Sequence, residues 1–137
     1  MAKGLRFRER ALDEWFFGKP LPWRDDTLFL LSLHTGEPEG ANGEFQNEVT
    51  YGGYRAVELP RNAATWERQA NVMTNVREIR FPTCDEFEKL KFKVTHWALR
   101  PFSSGEVFRS DKFDAAIQIY ARVRVVLDPG TVKMREI

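Results

Sequence analysis

A long alternation of apolar and polar side chains over residues 115–127 constrains the fold more than any other feature of the sequence. One parity carries the apolar side chains Ala115, Ile117, Ile119, Ala121, Val123, Val125 and Leu127. The other parity is mostly polar and carries Asp114, Gln118, Tyr120, Arg122 and Arg124. A period of two is typical of a β-strand with one buried and one solvated face, and it excludes a helix. We therefore predict a single long strand over residues 115–127.

Three turn-forming residues, Asp128, Pro129 and Gly130, follow this strand directly. An aspartate caps a turn, a proline fixes φ and a glycine accepts positive φ, so we expect the chain to reverse here. Val132 and Met134 then alternate in a second short strand. The two strands are predicted to pair as a long two-faced hairpin that closes the chain.

Length and composition limit the class of protein. At 137 residues the chain is most simply one domain whose core needs no disulfide. The net charge of +1 lacks the strong basic field of a duplex binder, so we expect no nucleic-acid partner. Cys84 is the only cysteine, which excludes an intrachain disulfide and fits a reducing cytoplasm. The sequence shows neither a signal-peptide pattern nor a run of membrane-spanning length, so we expect a soluble chain without membrane contact.

The first 26 residues are predicted to form an arm with a short helix. Residues 9–17 place apolar side chains at helical spacing, and Gly18 with the prolines after it ends the pattern. Four large aromatic side chains lie close together here, Trp15, Phe16, Phe17 and Trp23. They either pack on the protein's own sheet or are buried against another protein. The second alternative makes them candidate interface residues.

A near-continuous apolar run over residues 27–35 predicts a central strand covered on both faces. Gly, Pro, Asn and Glu dominate residues 36–51, which predicts a long exposed loop. Glu37, Glu39 and Glu44 in this loop are further candidate interface residues. A calcium site is the alternative for these carboxylates, but the regular spacing of a cation loop is missing.

Charge is distributed unevenly along the chain. Residues 1–24 carry a net charge of +3, residues 25–59 carry −6, and residues 60–137 carry +4. A basic arm therefore precedes an acidic segment, which suits contacts between copies or with a larger charged partner. A solvated acidic loop is the simpler alternative.

Further strands are predicted over residues 55–60, 72–81 and 92–99 and from residue 107 onward, whereas residues 85–91 fit either a helical turn or a strand. The sequence thus predicts six to eight short strands and an all-β fold. We predict an antiparallel β-sandwich of jelly-roll type over residues 27–137, preceded by the short N-terminal helix. A closed barrel is the alternative.

Residues with catalytic potential are sparse. His34 and His96 each lie inside an apolar strand, and the sequence indicates no third ligand and no paired nucleophile for either. We expect both to be hydrogen-bonded within the core or near a strand end. Cys84 has no adjacent base that would activate its thiol. The sequence therefore predicts no catalytic residue, no metal site and no cofactor.

Five stretches resemble, in order and in spacing, a family of small bacteriophage virion proteins that are often labelled tail-fibre or structural proteins. They are LSLHTGEP at residues 31–38, the NEV and GGY block at 47–54, IRFP at 79–82, VTHWAL at 94–99, and residues 117–134. Gly36 and Glu37 stand where the family pattern has Ala and Asp, and Ala98 stands where it has Gly. The resemblance covers about residues 27–137 and leaves the N-terminal arm outside it.

The resemblance implies a non-enzymatic structural subunit of the phage particle, assembled in the host cytoplasm and located on the capsid surface of the virion. Similar chains act as decoration or cement proteins, so the implied partners are the major capsid protein and copies of this chain, as dimers or trimers. A tail or tail-fibre adaptor with the same fold is one alternative. A carbohydrate- or receptor-binding sandwich is another, with Tyr51, Tyr54 and Trp66 as its candidate aromatic residues.

Overall fold

The computed structural model describes residues 2–85 and 92–136. Within these ranges the one α-helix is α1, Leu5–Phe17. The strands, in chain order, are β1 Ala2–Lys3, β2 Leu28–His34, β3 Val57–Pro60, β4 Trp66–Gln69, β5 Val72–Asn75, β6 Ile79–Arg80, β7 Phe92–Pro101, β8 Arg109–Ile119, β9 Val126–Leu127 and β10 Lys133–Arg135. The predicted fold class, all-β with a short N-terminal helix, is confirmed. Residues 85–91, for which the sequence left two alternatives, lie outside the described residues apart from Asp85.

The described strands pair antiparallel with their neighbours in three sheets. The largest sheet has five strands in the order β1-β8-β7-β2-β3, the second has the order β10-β5-β4, and the third joins β6 to β9. β7 and β8 form a long ladder that runs from the pair Leu99 and Arg109 to the pair Phe92 and Ile119. A β-bulge at residues 94–96 interrupts its register.

One hydrophobic core joins the three sheets. β2 lies between β7 and β3 and is buried on both faces from Leu31 to His34, which confirms the predicted central strand. Fully buried apolar side chains come from the sheets and from their connections: Leu31, Leu33, Phe81, Val94, Trp97, Leu99, Ile119 and Val132. A core shared between sheets is the architecture of a β-sandwich. A jelly roll has eight strands in two sheets, whereas the strands described here form three sheets of unequal size.

The prediction of one strand over residues 115–127 is wrong, because the chain turns inside it. β8 ends at Ile119, and Arg122 in the following turn has a φ of 63°. The N–H of Arg122 donates to the carbonyl of Cys84 at 2.7 Å, and the N–H of Cys84 donates to the carbonyl of Val123 at 3.0 Å. Apolar side chains are buried on both sides of the turn, so the alternation continues although the strand does not.

The predicted closing hairpin is wrong in its pairing. The turn itself is present, because the N–H of Thr131 donates to the carbonyl of Asp128 at 3.1 Å. However, β10 pairs with β5 and not with β9. Asn75 at the end of β5 fixes this path, since its buried side chain donates to the carbonyl of Asp128 at 3.1 Å and accepts from the N–H of Val132 at 2.9 Å.

Three other elements differ from the prediction in extent. α1 begins at Leu5, earlier than predicted, and the predicted strand over residues 72–81 is divided into β5 and β6. β4 has no predicted counterpart, because most of its side chains are polar and exposed. Propensity and pattern are weak guides for such a strand, since its pairing with β5 decides its conformation.

The loop over residues 36–51 is present, but the prediction that it is exposed along its length is wrong. Pro38 and Val49 in it are buried. The ring of Phe45 packs edge-on against His34, with ring centroids 4.9 Å apart. The loop is therefore packed against β2, and its acidic residues are held in defined places.

Candidate functional site

The first half of α1 is fixed to the sandwich. β1 precedes it as the edge strand of the five-stranded sheet, and the N–H of Gly4 donates to the carbonyl of Phe108 at 3.1 Å. A Cβ atom on Gly4 would lie 1.6 Å from the carbonyl oxygen of Val107, so only glycine permits this approach. The Phe7 ring then packs edge-on against Phe108, with ring centroids 4.7 Å apart. These contacts hold the start of the helix against the end of the sheet.

A side chain from the loop caps α1. The residue before the helix, Gly4, offers no capping side chain, and the N–H of Leu5 donates to both carboxylate oxygens of Glu39, at 2.8 and 3.1 Å. A carboxylate at this place satisfies a backbone donor that lacks a helical partner and favours the positive end of the helix dipole. Further along, Arg10 forms an ion pair with Glu106 at 3.2 Å. The carboxylate of Glu39, a predicted interface residue, is thus bound within the protein.

The second half of α1 is exposed to solvent. Leu12 is 53% exposed, Trp15 74%, Phe16 75% and Phe17 72%. Gly18 ends the helix in the left-handed conformation, as predicted. We call the surface formed by Leu12, Trp15, Phe16 and Phe17 the aromatic helix end. Leu12, Trp15 and Phe16 share one side of the helix at i, i+3 and i+4 spacing, and clustered exposed apolar side chains of this kind mark a contact with another molecule more often than scattered single residues do.

The aromatic helix end is also electronegative. Asp13 and Glu14 lie next to the aromatic residues, and the last turn of α1 contains no basic residue. The carbonyl groups at a helix C-terminus add a partial negative charge. Lys19 follows the helix and offsets only part of this charge.

Trp23 does not belong to this surface. It is 4% exposed, and its ring packs against Phe29 and Phe108 with centroid distances of 6.4 and 5.3 Å. The guanidinium of Arg61 lies over the same ring at 5.8 Å. Its prediction as an interface residue is therefore corrected, because a buried ring offers no surface to a partner. Trp23 therefore packs on the protein's own sheet, which was one of the two predicted alternatives. Trp15, Phe16 and Phe17 are exposed instead.

Glu37 and Glu44, the remaining acidic candidates, have partners of their own. Glu44 accepts a hydrogen bond from the N–H of Asn42 at 2.9 Å, and Glu37 lies 3.5 Å from the Nε2 atom of His96. Glu37, Glu39 and Glu44 therefore contact three different groups and do not converge on one site. Within residues 2–85 and 92–136, no group of three or more His, Cys, Asp or Glu is placed to hold a metal ion.

The sheet brings the two histidines together. His34 on β2 lies directly opposite His96 on β7. His34 is fully buried, its Nδ1 donates to the carbonyl of Gln46 at 2.7 Å, and its Nε2 accepts from the hydroxyl of Ser32 at 2.8 Å. Burial lowers the pKa of His34 to about 4, although the hydrogen bond to Gln46 acts in the opposite direction. The ring is therefore neutral near pH 7, and both of its nitrogen atoms are occupied.

Ser32 and His34 are spaced as a nucleophile and its base would be. Both side chains are fully buried, so solvent does not reach the hydroxyl. His96 is only partly buried, and its Nδ1 lies 2.7 Å from the hydroxyl of Thr95. Cys84 is a buried free thiol. The prediction that the histidines are hydrogen-bonded core residues is confirmed for His34, while His96 lies at the edge of the core.

The aromatic residues predicted for a carbohydrate site are mostly packed inside. Tyr51 is buried and donates to the carbonyl of Pro82 at 2.6 Å, and burial raises the pKa of its phenol to about 12. Tyr54 donates to Glu48 at 2.7 Å, and burial raises the pKa of its phenol as well. Neither phenol is free for a sugar. Trp66, the third candidate, lines a cleft elsewhere.

A cleft of about 760 Å³ separates the five-stranded sheet from the three-stranded sheet. Its apolar lining includes Phe29 and Leu99 from the first sheet and Trp66, Met73 and Met134 from the second. The indole N–H of Trp66 is buried there and has no acceptor among the described residues. Cavities of roughly 300–1,000 Å³ are the usual size for ligand sites in proteins.

The border of this cleft is basic. Four arginines and one glutamate line it: Arg61, Arg68, Arg109, Arg135 and Glu136. Arg109 and Glu136 form an ion pair at 2.6 Å, and the hydrogen bonds from Lys3 and Arg109 lower the pKa of Glu136. Arg61 donates to backbone carbonyls, which do not neutralise its charge. We call this feature, with its apolar lining and positively charged border, the arginine cleft.

The sequence contains one local signal of the arginine cleft, the large aromatic Trp66 within an otherwise polar stretch. The other lining residues belong to strands that are distant in sequence, so their convergence was not predicted. Neither a family model nor a curated protein matches the chain. No helix among the described residues is long and apolar enough to cross a membrane. The aromatic helix end and the arginine cleft are therefore the features on which a functional proposal rests.

Proposed function

We propose that this protein is a non-enzymatic structural subunit of a bacteriophage particle, most simply a capsid decoration protein that binds the shell and stabilises it. The observation that carries the proposal is the aromatic helix end, where Trp15, Phe16 and Phe17 are exposed on a helix whose other half is fixed. The resemblance of residues 27–137 to small virion proteins supports the same class.

A rigidly presented aromatic surface is well suited to binding another protein. The side chains of α1 lose little further freedom on binding, because the helix is already held at its other end. Three large aromatic side chains bury on the order of 450 Å² of apolar area, or roughly 10 kcal/mol before the costs of association are subtracted. Those costs are of similar size, so a single contact is weak.

Repetition of this contact over a shell compensates for its weakness. Copies that bind at neighbouring sites of one particle raise each other's effective concentration. Each bound copy favours the assembled state over the dissociated one by mass action. The expected result is a shell that resists dissociation better when the protein is bound.

The experiment is a binding assay on purified shells of the phage whose genome encodes the chain. Wild-type protein should sediment with the shells, and the triple variant Trp15→Ala, Phe16→Ala, Phe17→Ala should bind at least tenfold more weakly while its circular dichroism spectrum is unchanged. Phe102→Ala is the matched control, because Phe102 is another exposed aromatic residue. Equal binding of the triple variant would contradict the proposal.

Copy number in purified virions separates this proposal from a tail adaptor. A decoration protein should be present in hundreds of copies, measured by quantitative mass spectrometry against the major capsid protein. A tail adaptor would be present in a few copies. Absence of the chain from the virion would contradict a structural role in the particle.

A further inference from the structure

We propose that the aromatic helix end of one copy docks in the arginine cleft of a second copy, so that the protein assembles head to tail. The inference rests on the proposed function in that it uses the same exposed surface, for which a second copy of this chain is a partner that competes with the shell. It assigns an occupant to the cleft and a partner to the helix end.

The two surfaces both contain large apolar side chains. The helix end offers three exposed aromatic side chains at consecutive positions, which project about 100° apart around the helix axis, and the cleft offers an apolar lining that includes Trp66 and Met73. Thioether and aromatic groups pack favourably against aromatic rings and adapt to their shape. The helix end is exposed to water, Trp66 and Met73 are partly exposed, and docking would remove this apolar area from water.

The two surfaces are also opposite in charge. The helix end carries Asp13, Glu14 and the negative end of the helix dipole. The cleft carries Arg61, Arg68 and Arg135 in addition to the paired Arg109 and Glu136. Opposite charges around an apolar contact favour one orientation and disfavour contact between two identical surfaces.

The occupant must come from another molecule. Phe7 in the first half of α1 contacts Phe108, which lines the cleft, so the helix starts beside its own cleft. Phe17 lies ten residues further on, about 15 Å along the helix axis. A straight helix cannot fold its end back, and Phe17 is in fact 72% exposed within its own chain.

A contact between two different surfaces of the same protein is heterologous, and it continues until a ring closes or a chain forms. The three aromatic side chains contribute on the order of 450 Å² on one side, about half of what a stable interface buries per partner. We therefore expect self-association that depends on concentration, and a helix end docked in a second copy is not free to bind the shell at the same time.

The test uses two variants of the full chain, each defective in one surface. The helix-end variant is Trp15→Ala, Phe16→Ala, Phe17→Ala, and the cleft variant is Arg68→Glu, Arg135→Glu, at two exposed positions. Sedimentation velocity over a concentration series should show association for the wild type and monomers for each variant alone. A one-to-one mixture of the two variants should form a dimer and nothing larger, because one working helix end meets one working cleft.

The matched control for the cleft variant is Arg77→Glu, Arg124→Glu, which makes the same change in charge at exposed positions away from the cleft. It should associate like the wild type. A cleft variant that still associates alone would overturn the inference in favour of contact between two helix ends. A wild type that stays monomeric up to millimolar concentration would overturn it as well.

A charge exchange provides a second test that does not depend on removing apolar groups. Asp13→Arg, Glu14→Arg should weaken association at least tenfold, and combination with Arg68→Glu, Arg135→Glu in one chain should restore it. Failure to restore would contradict the proposed pairing of these charges.

The two proposals fail in different experiments. All of the association measurements are made without shells, so they report on the contact between copies alone. A protein that assembles as described but does not bind shells would retain this inference and refute the decoration role. A protein that binds shells but stays monomeric would do the reverse.

Discussion

The two halves of α1 differ in what holds them, although they form one continuous helix. The first half is fixed by the close approach of Gly4, the cap from Glu39 and the packing of Phe7. The second half exposes its aromatic side chains to solvent, and no residue of the helix is fully buried. A free helix of this length is marginal in water. Contacts of the first half therefore determine whether the second half is presented as a folded surface.

This difference separates stability from binding along a single element. Substitutions in the first half should change the free energy of unfolding, whereas substitutions in the second half should change association and leave stability unaffected. Each of the following measurements addresses that contrast, from the largest expected effect to the smallest.

Gly4→Ala should remove the attachment of the helix most completely. The added Cβ would lie 1.6 Å from the carbonyl oxygen of Val107, so β1 or α1 must move away from the sheet. We expect a loss of more than about 3 kcal/mol in urea denaturation, beyond the usual range for overpacking. Gly105→Ala is the control: Gly105 has a φ of 69° and open space around it, so strain alone should cost about 1 kcal/mol. Equal losses for the two variants would contradict the close approach at Gly4.

Acid should destabilise the folded protein without any substitution. The Nδ1 atom of His34 donates a hydrogen bond to the carbonyl of Gln46, which is in the same loop as Glu39. Burial lowers the pKa of His34 from 6.5 to about 4. Between these values the unfolded chain binds a proton that the folded chain does not, so stability falls as the pH is lowered from about 6.5 to 4. A shift of this size corresponds to about 3 kcal/mol, and this contribution is constant above pH 6.5.

Urea denaturation at half-unit pH intervals measures this loss. His34→Gln should flatten the dependence between pH 6.5 and 5, and His96→Gln should leave it in place. Glu136 acts in the same direction at lower pH, because the lowered pKa of its carboxyl contributes stability that is lost as that group is protonated. A slope that survives in His34→Gln would show that another group causes the dependence.

Phe7→Ala tests the ring contact in the first half. It removes the edge-on contact with Phe108 and uncovers the guanidinium of Arg109, which lies 4.6 Å from the Phe7 ring centre. Because Phe7 is only partly buried, we expect a loss of about 2 kcal/mol, below the range for a fully buried phenylalanine. Thermal and urea denaturation should agree on this value. A loss below about 0.5 kcal/mol would mean that the helix is not fixed by this ring.

Glu39→Ala tests the cap. Loss of the carboxylate leaves the N–H of Leu5 without its acceptor, which should destabilise the protein by about 1 kcal/mol and expose the first turn of α1 to hydrogen exchange. Glu37→Ala is the control, because Glu37 is in the same loop and its side chain is largely exposed. Similar protection of the first turn in both variants would contradict the capping role.

Local signals were sufficient for some of these elements. The left-handed end of α1 follows from Gly18, and the central strand β2 follows from an apolar run of strand length. In both cases the residues that decide the structure are adjacent in sequence. The concentration of aromatic residues near the end of the helix could be predicted in the same way.

Other features depend on groups far apart in the chain and could not be predicted. The turn at Arg122 contains no glycine or proline and is fixed by the backbone of Cys84, while the path into β10 is fixed by the side chain of Asn75. Trp15 and Trp23 are the same residue type eight positions apart, yet one is exposed and the other is buried. Trp23 is buried because Phe29 and Phe108 pack against its ring. The arginine cleft is likewise formed by residues from two different sheets.

Phe16→Ala should have the smallest effect on stability, and its comparison with Phe7→Ala is the most direct test of the difference between the two halves. The substitution is the same and the helix is the same, but Phe16 is 75% exposed and Phe7 is packed. Alanine has the higher helix propensity by a few tenths of a kcal/mol, which offsets the small amount of apolar contact that is lost. The free energy of unfolding should therefore stay within about 0.5 kcal/mol of the wild type. A loss above 1 kcal/mol would mean that the aromatic helix end is part of the protein's own core, and the surface proposed for its partners would then not exist.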